Sequence, residues 1–64
     1  MDRVTLGNYI RDERIRQGIS IRKMAELSDV QPATVQNLEN GTFSPRLDIV
    51  QRMLAALGKQ LTVE

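Results

Sequence analysis

The chain has 64 residues, nine Lys/Arg against eight Asp/Glu, a formal net charge of +1 and a hydrophobic fraction of 41%, which describes one small domain near the lower limit for a self-sufficient core. Cysteine and histidine are both absent, which excludes disulfides, His/Cys metal sites and His-based triads, and fits a reducing cytoplasmic setting. No apolar run approaches a membrane span, no Lys/Arg-led apolar leader opens the chain, and the near-neutral charge does not by itself argue for nucleic acid.

The first predicted helix covers about 6–17, capped by Thr5, with Leu6, Tyr9, Ile10 and Ile15 on its buried face and Gly18 as its stop. Ser20 is placed to cap a second helix over about 21–28, with Met24, Ala25 and Leu27 turned inward. Ala25 is small where two helices must cross closely. Asp29 falls in a tight turn and tolerates left-handed backbone better than most residues.

Val30 is expected to plug the core, with Gln31 just ahead of a third helix and Pro32 at its first position, where a missing N–H costs nothing. That helix runs over about 32–40, buries Val35 and Leu38, and stops at Gly41. Ser44-Pro45 repeats the start signal for a fourth helix over about 46–57. Its apolar set is wider than one stripe: Ile49, Met53 and Ala56 form a second row beside Leu47, Val50, Leu54 and Leu57. After Gly58 the stretch 59–63 alternates apolar and polar residues in a strand pattern that needs a partner, most simply its twin in a dimer.

From Gly18 to Gly41 the sequence GISIRKMAELSDVQPATVQNLENG has the form of two short helices about a tight turn, the second fit to enter a major groove. Val30 to Leu38 holds no charge that would repel phosphate, with Arg22 and Lys23 on one side and Arg46 on the other. With Gly18-Ile19-Ser20, Met24-Ala25-Glu26-Leu27, Ala33-Thr34-Val35 and Leu38-Glu39-Asn40-Gly41 in order, the chain resembles the Cro/C1-type (XRE) helix-turn-helix regulators over roughly residues 5 to 58. The tail after Leu57-Gly58 is most similar to the HipB-like branch of dimeric repressors and antitoxins. The resemblance implies an all-α, four- to five-helix lambda-repressor-like DNA-binding domain, with a short C-terminal β-strand pairing across a dimer. It also implies a bacterial or phage protein associated with the nucleoid.

By position, the resemblance implies base contacts from Pro32, Ala33, Gln36 and Asn37. The chemistry agrees in part, since Gln and Asn amides pair with adenine edges and Ala touches a thymine methyl. Ser20, Arg22, Lys23, Gln31, Thr34, Asn40, Thr42 and Arg46 are candidates for phosphate. Ile49, Met53, Ala56, Leu61 and Val63 are candidates for the dimer interface. The family often carries glutamine or another polar residue where Ile21 and Pro32 stand, so one amide pair is missing here. Specificity is expected to lean more on DNA shape. The resemblance sets Arg14 against Glu39 as an internal ion pair. Phe43 either caps the core or lies beside the DNA backbone, and Arg3, Arg11, Arg16, Arg52 and Lys59 read as solvated surface among acidic neighbours.

The leading expectation is a homodimeric repressor of an inverted-repeat operator in double-stranded DNA. The alternative is an antitoxin that also binds a partner toxin and autoregulates its operon. A scaffold that has lost DNA binding is a further reading. An enzyme is disfavoured, since no nucleophile–base pair, phosphate-cradling glycine loop or paired carboxylates stand out. No cofactor, metal, membrane or small-molecule partner is expected.

Overall fold

The structure, a computed structural model, describes residues 2–42 and 46–59. Four helices follow one another: α1 Arg3–Arg16, α2 Ile21–Ser28, α3 Pro32–Asn40 and α4 Leu47–Ala56. No strand occurs among the described residues. The expected strand over 59–63 falls outside them, except for Lys59, whose N–H closes the end of α4 on the Leu54 carbonyl at 2.7 Å. Helix α1 packs on α3, while α2 packs on both α3 and α4.

The helix ends follow from local chemistry. Asp2, not Thr5, caps α1: its carboxylate accepts the Thr5 N–H at 2.7 Å, and the helix begins three residues earlier than the sequence pattern placed it. Ser20 caps α2 by accepting the Lys23 N–H at 3.0 Å. Between α2 and α3 the chain reverses at Asp29, with φ 57° and ψ 49°, and the Val30 N–H reaches back to the Ala25 carbonyl at 3.0 Å. Helix α3 opens on Pro32 and ends at Gly41, φ 68°, where the Thr42 N–H reaches the Asn37 carbonyl at 3.1 Å. Helix α4 starts one residue later and ends one sooner than 46–57, with Arg46 as its N-cap and Leu57 as its C-cap.

Ile10, Met24, Ala25, Val35, Leu38, Val50, Met53, Leu54 and Leu57 form one buried cluster, with Leu6, Ile19, Ile21, Val30, Ile49 and Ala56 half-buried around it. Three expected positions move. Tyr9 and Ile15 are exposed, since the buried stripe of α1 runs through Gly7, Ile10 and Arg14 at three- and four-residue steps. Leu27 is half-exposed, and Ser28 is buried in its place with no hydrogen-bond partner for its hydroxyl. Met53 has no exposed surface, so it cannot serve a dimer interface. The second apolar row of α4 is accounted for within the chain: Met53 sits in the core and Ile49 and Ala56 pack against it.

Arg14 and Glu39 join α1 to the end of α3. Arg14 Nε donates to Glu39 Oε2 at 2.7 Å and Nη2 to Oε1 at 3.1 Å, while Nη1 donates to the Ile19 carbonyl at 2.8 Å. The side chains are 11% and 4% exposed, so removing either member leaves a desolvated charge behind. Glu39→Gln and Arg14→Met are each expected to cost about 3–5 kcal/mol, read as a lower urea midpoint by circular dichroism. Arg14→Met combined with Glu39→Leu is expected to recover much of that loss.

Acid sensitivity has a separate source. The Thr5 N–H bonded to Asp2 holds that carboxyl below its ordinary value, and the Arg16 hydrogen bond does the same for Glu13, with the Arg16 and Lys59 charges in support. Both groups bind protons more readily unfolded, so their contribution is present above the ordinary carboxylate range and lost as pH falls through the lower folded values. Asp2→Asn, which keeps a capping oxygen, is expected to flatten the acid limb of a urea-midpoint against pH curve.

Candidate nucleic-acid interface

Helix α3 is two-sided. Val35, Leu38 and Glu39 are buried, while Pro32, Ala33, Gln36, Asn37 and Asn40 are all exposed and Thr34 is half-buried. The exposed set falls at steps of one, three and four residues, so it forms one continuous stripe. It carries amides, a methyl and a pyrrolidine ring, and no charge.

The candidates for phosphate come from three other segments. The first is the start of α2, where Ser20, Arg22 and Lys23 are exposed. Ser20 spends only a lone pair on its cap, so its hydroxyl hydrogen remains available for a phosphate oxygen. Lys23 lies 3.9 Å from Glu26, both well exposed, a pairing too weak to compete with phosphate. The second is Gln31, the N-cap of α3, whose side chain makes no capping bond. The third is Arg46, 80% exposed and 3.3 Å from Asp48 at the start of α4.

Two expected contacts change character. Thr42 commits both its N–H and its hydroxyl hydrogen to the Asn37 carbonyl, each at 3.1 Å, so it closes α3 and has no hydrogen left for phosphate. Ile21 packs against the core while Pro32 stays exposed. The amide pair missing at those positions is therefore replaced by one core contact and one apolar surface point. The side chains expected at the base edges thus share one exposed face of α3.

Chemistry of other kinds finds little here. No cluster of His, Cys, Asp or Glu able to hold a metal occurs among the described residues. No described helix is long and apolar enough to cross a membrane.

A tight left-handed turn joining two short helices, the second with a buried apolar face and an uncharged outer one, is the geometry of a groove-reading motif. A family model described as helix-turn-helix matches residues 10–63. The chain belongs to the helix-turn-helix family. This helix-turn-helix chain is 33% identical over 61 residues to an uncharacterised HTH-type transcriptional regulator of Haemophilus influenzae, covering 95% of its own length and 62% of the relative's. Two crystal structures of the clp gene regulator ClgR from Corynebacterium glutamicum superpose with TM-scores of 0.86 and 0.87, at 31% and 30% identity. They cover 91% and 92% of this chain, which spans 62% and 76% of theirs. The Cro/C1-type resemblance therefore holds at the level of a helix-turn-helix domain with homology to an HTH-type transcriptional regulator.

Sequence reasoning missed Gly7, which is buried where α1 meets the end of α3. A glycine inside a predicted helix was its only signal. The Ser20 cap gives a direct test of the local geometry: Ser20→Ala is expected to cost about 1 kcal/mol of stability, measurable by urea titration. Ser20→Asp is expected to retain that stability.

Proposed function

We propose that the chain is a sequence-specific repressor of transcription that binds double-stranded DNA as a homodimer on an inverted repeat. The observation that carries this reading is the uncharged, exposed row Pro32, Ala33, Gln36 and Asn37 on a helix whose other face is locked into the core. Gln36 and Asn37 pair with base edges, most favourably with adenine N6 and N7, while Ala33 and Pro32 pack on thymine methyls. Ser20, Arg22, Lys23, Gln31, Asn40 and Arg46 hold phosphates on either side, with the N–H groups at the helix starts in support. Thr34 is half-buried and contributes through its hydroxyl at the edge of the stripe. Transcription is blocked by occupying the operator.

With nine cations against eight acids, one copy neutralises few phosphates, and a second copy doubles the count. The dimer contact is assigned to Leu61 and Val63, which lie outside the described residues, together with the partly buried Ile49 and Ala56. This follows the likeness of the tail to the HipB-like branch. Binding of a toxin rests on that same tail and on no described residue, so the repressor reading stands ahead of it.

Selection from randomised duplex DNA at low salt is expected to enrich two inverted half-sites about 34 Å apart between centres. On the selected site, Gln36→Ala and Asn37→Ala are each expected to cost about 1–3 kcal/mol and to relax preference at one base. Arg46→Ala is expected to weaken all sequences alike and to lower the salt slope by about one. A folded protein that enriches no sequence would sink the reading. Leu61→Glu with Val63→Glu is expected to abolish dimer and operator binding together.

A further inference from the structure

The first helix carries no residue assigned to DNA, yet besides the Arg14–Glu39 pair it meets the backbone of the reading helix's last turn at Gly7. A Cβ built on Gly7 meets the Leu38 carbonyl oxygen in hard overlap, the Glu39 carbonyl oxygen at 2.7 Å and the Glu39 carbonyl carbon at 3.0 Å. The hydrogen that stands in place of a side chain at Gly7 therefore points at the Leu38 and Glu39 carbonyls in the last turn of α3, a close helix–helix approach of the Cα–H···O kind. One turn earlier, Val4 lies against Gly41, the residue that ends α3: a Cβ on Gly41 would meet Val4 Cγ2 at 3.1 Å and Val4 Cα at 3.2 Å. Both α1 residues precede the segment 10–63 that the family model matches.

From this contact we infer that Gly7, assisted by Val4, is a positioning residue for base recognition: it sets how far the C-terminal half of α3 stands from the body of the domain. The inference rests on the reading of α3 as the DNA-contacting helix. The groups in contact are backbone oxygens, which cannot swing aside as a side chain would. A C···O contact relaxes to about 3.3 Å or more, so a methyl at position 7 must drive α1 and the end of α3 apart by at least about 0.6 Å from the 2.7 Å at the Glu39 oxygen, the Leu38 oxygen being nearer still. Binding constellations tolerate only about 0.5 Å of misplacement. The displacement is applied at Leu38 and Glu39, directly after Gln36 and Asn37, and far from Pro32 and Ala33. It therefore falls on the amide contacts and spares the apolar ones.

A merely structural glycine would lower stability and scale down all DNA binding alike. A positioning glycine changes which bases are preferred. The experiment compares wild type, Gly7→Ala and Val50→Ala on the duplex selected by the wild type and on every single-base substitution of it, at a temperature where all three are folded. Val50→Ala, a core change on α4, controls for lost stability. For Gly7→Ala, discrimination at the bases read by Gln36 and Asn37 is expected to fall at least about fivefold. Preferences at the Pro32 and Ala33 end, and all preferences of Val50→Ala, are expected to match the wild type.

Wild-type selection with unchanged preferences in folded Gly7→Ala overturns the inference and leaves the repressor reading intact. A wild type that selects nothing overturns both. Where Gly7→Ala does not fold, Val4→Ala takes its place, since Val4 is half-exposed and its loss removes little core. Its discrimination at the same bases is expected to fall about twofold, and preferences equal to the wild type overturn the inference.

Discussion

Arg14 and Glu39 form the contact on which the arrangement of this domain depends. Helix α1 carries the guanidinium and the last turn of α3 carries the carboxylate, and the third branch of the fork reaches the Ile19 carbonyl between α1 and α2. The end of α1, the link that follows it and the distant end of α3 are thus tied at one point. The strength of the pair in isolation matters less than the penalty for breaking it, because a lone charge in that position has no water to return to. An apolar core of nine residues could tolerate small rotations of its helices. A bidentate pair tolerates fewer, since both its bonds have fixed directions. Recognition requires such a fixed angle, because the outer face of α3 is useful only if its amides stand at a set height above the domain.

The division of labour within α3 follows from that anchoring. Its inner residues belong to the core and to the ion pair, and its outer residues are left without partners in the chain. Gln31 makes no capping bond although it occupies the capping position, and Pro32 removes one of the N–H groups that would otherwise need satisfying. The helix therefore begins without tying up polar side chains at the end that faces outward. At the other end the pattern reverses, with Gly41 and Thr42 closing the carbonyls of Asn37 and Leu38 inside the chain.

Much of this was legible in the residues themselves. Stops and starts carried by Gly18, Ser20, Asp29, Pro32 and Gly41 were readable because each has a backbone preference that acts within a few residues. The inward faces of α2 and α3 followed from spacing at Met24, Ala25, Val35 and Leu38. The misreadings share a different cause. On α1, the buried stripe runs through a glycine and an arginine, residue types that hydrophobic periodicity does not count, so the pattern was drawn through Tyr9 and Ile15 instead. On α4, Met53 reads as part of a partner-facing row because the sequence alone does not reveal that α2 packs against that helix as well. Thr42 could be placed at the rim of the site, but not the direction of its hydroxyl, which the end of the helix determines.

The composition of the outer face of α3 has one more consequence. Proline, alanine, glutamine and asparagine do not titrate, and the chain has no histidine. The carboxyls held at lowered values, Asp2 at the cap of α1 and Glu13 within it, lie outside that face. Between mildly acidic and mildly alkaline conditions the face therefore presents the same donors and acceptors throughout. A drift of pH within that range leaves the donors and acceptors of this row unchanged, so the row itself carries no proton switch.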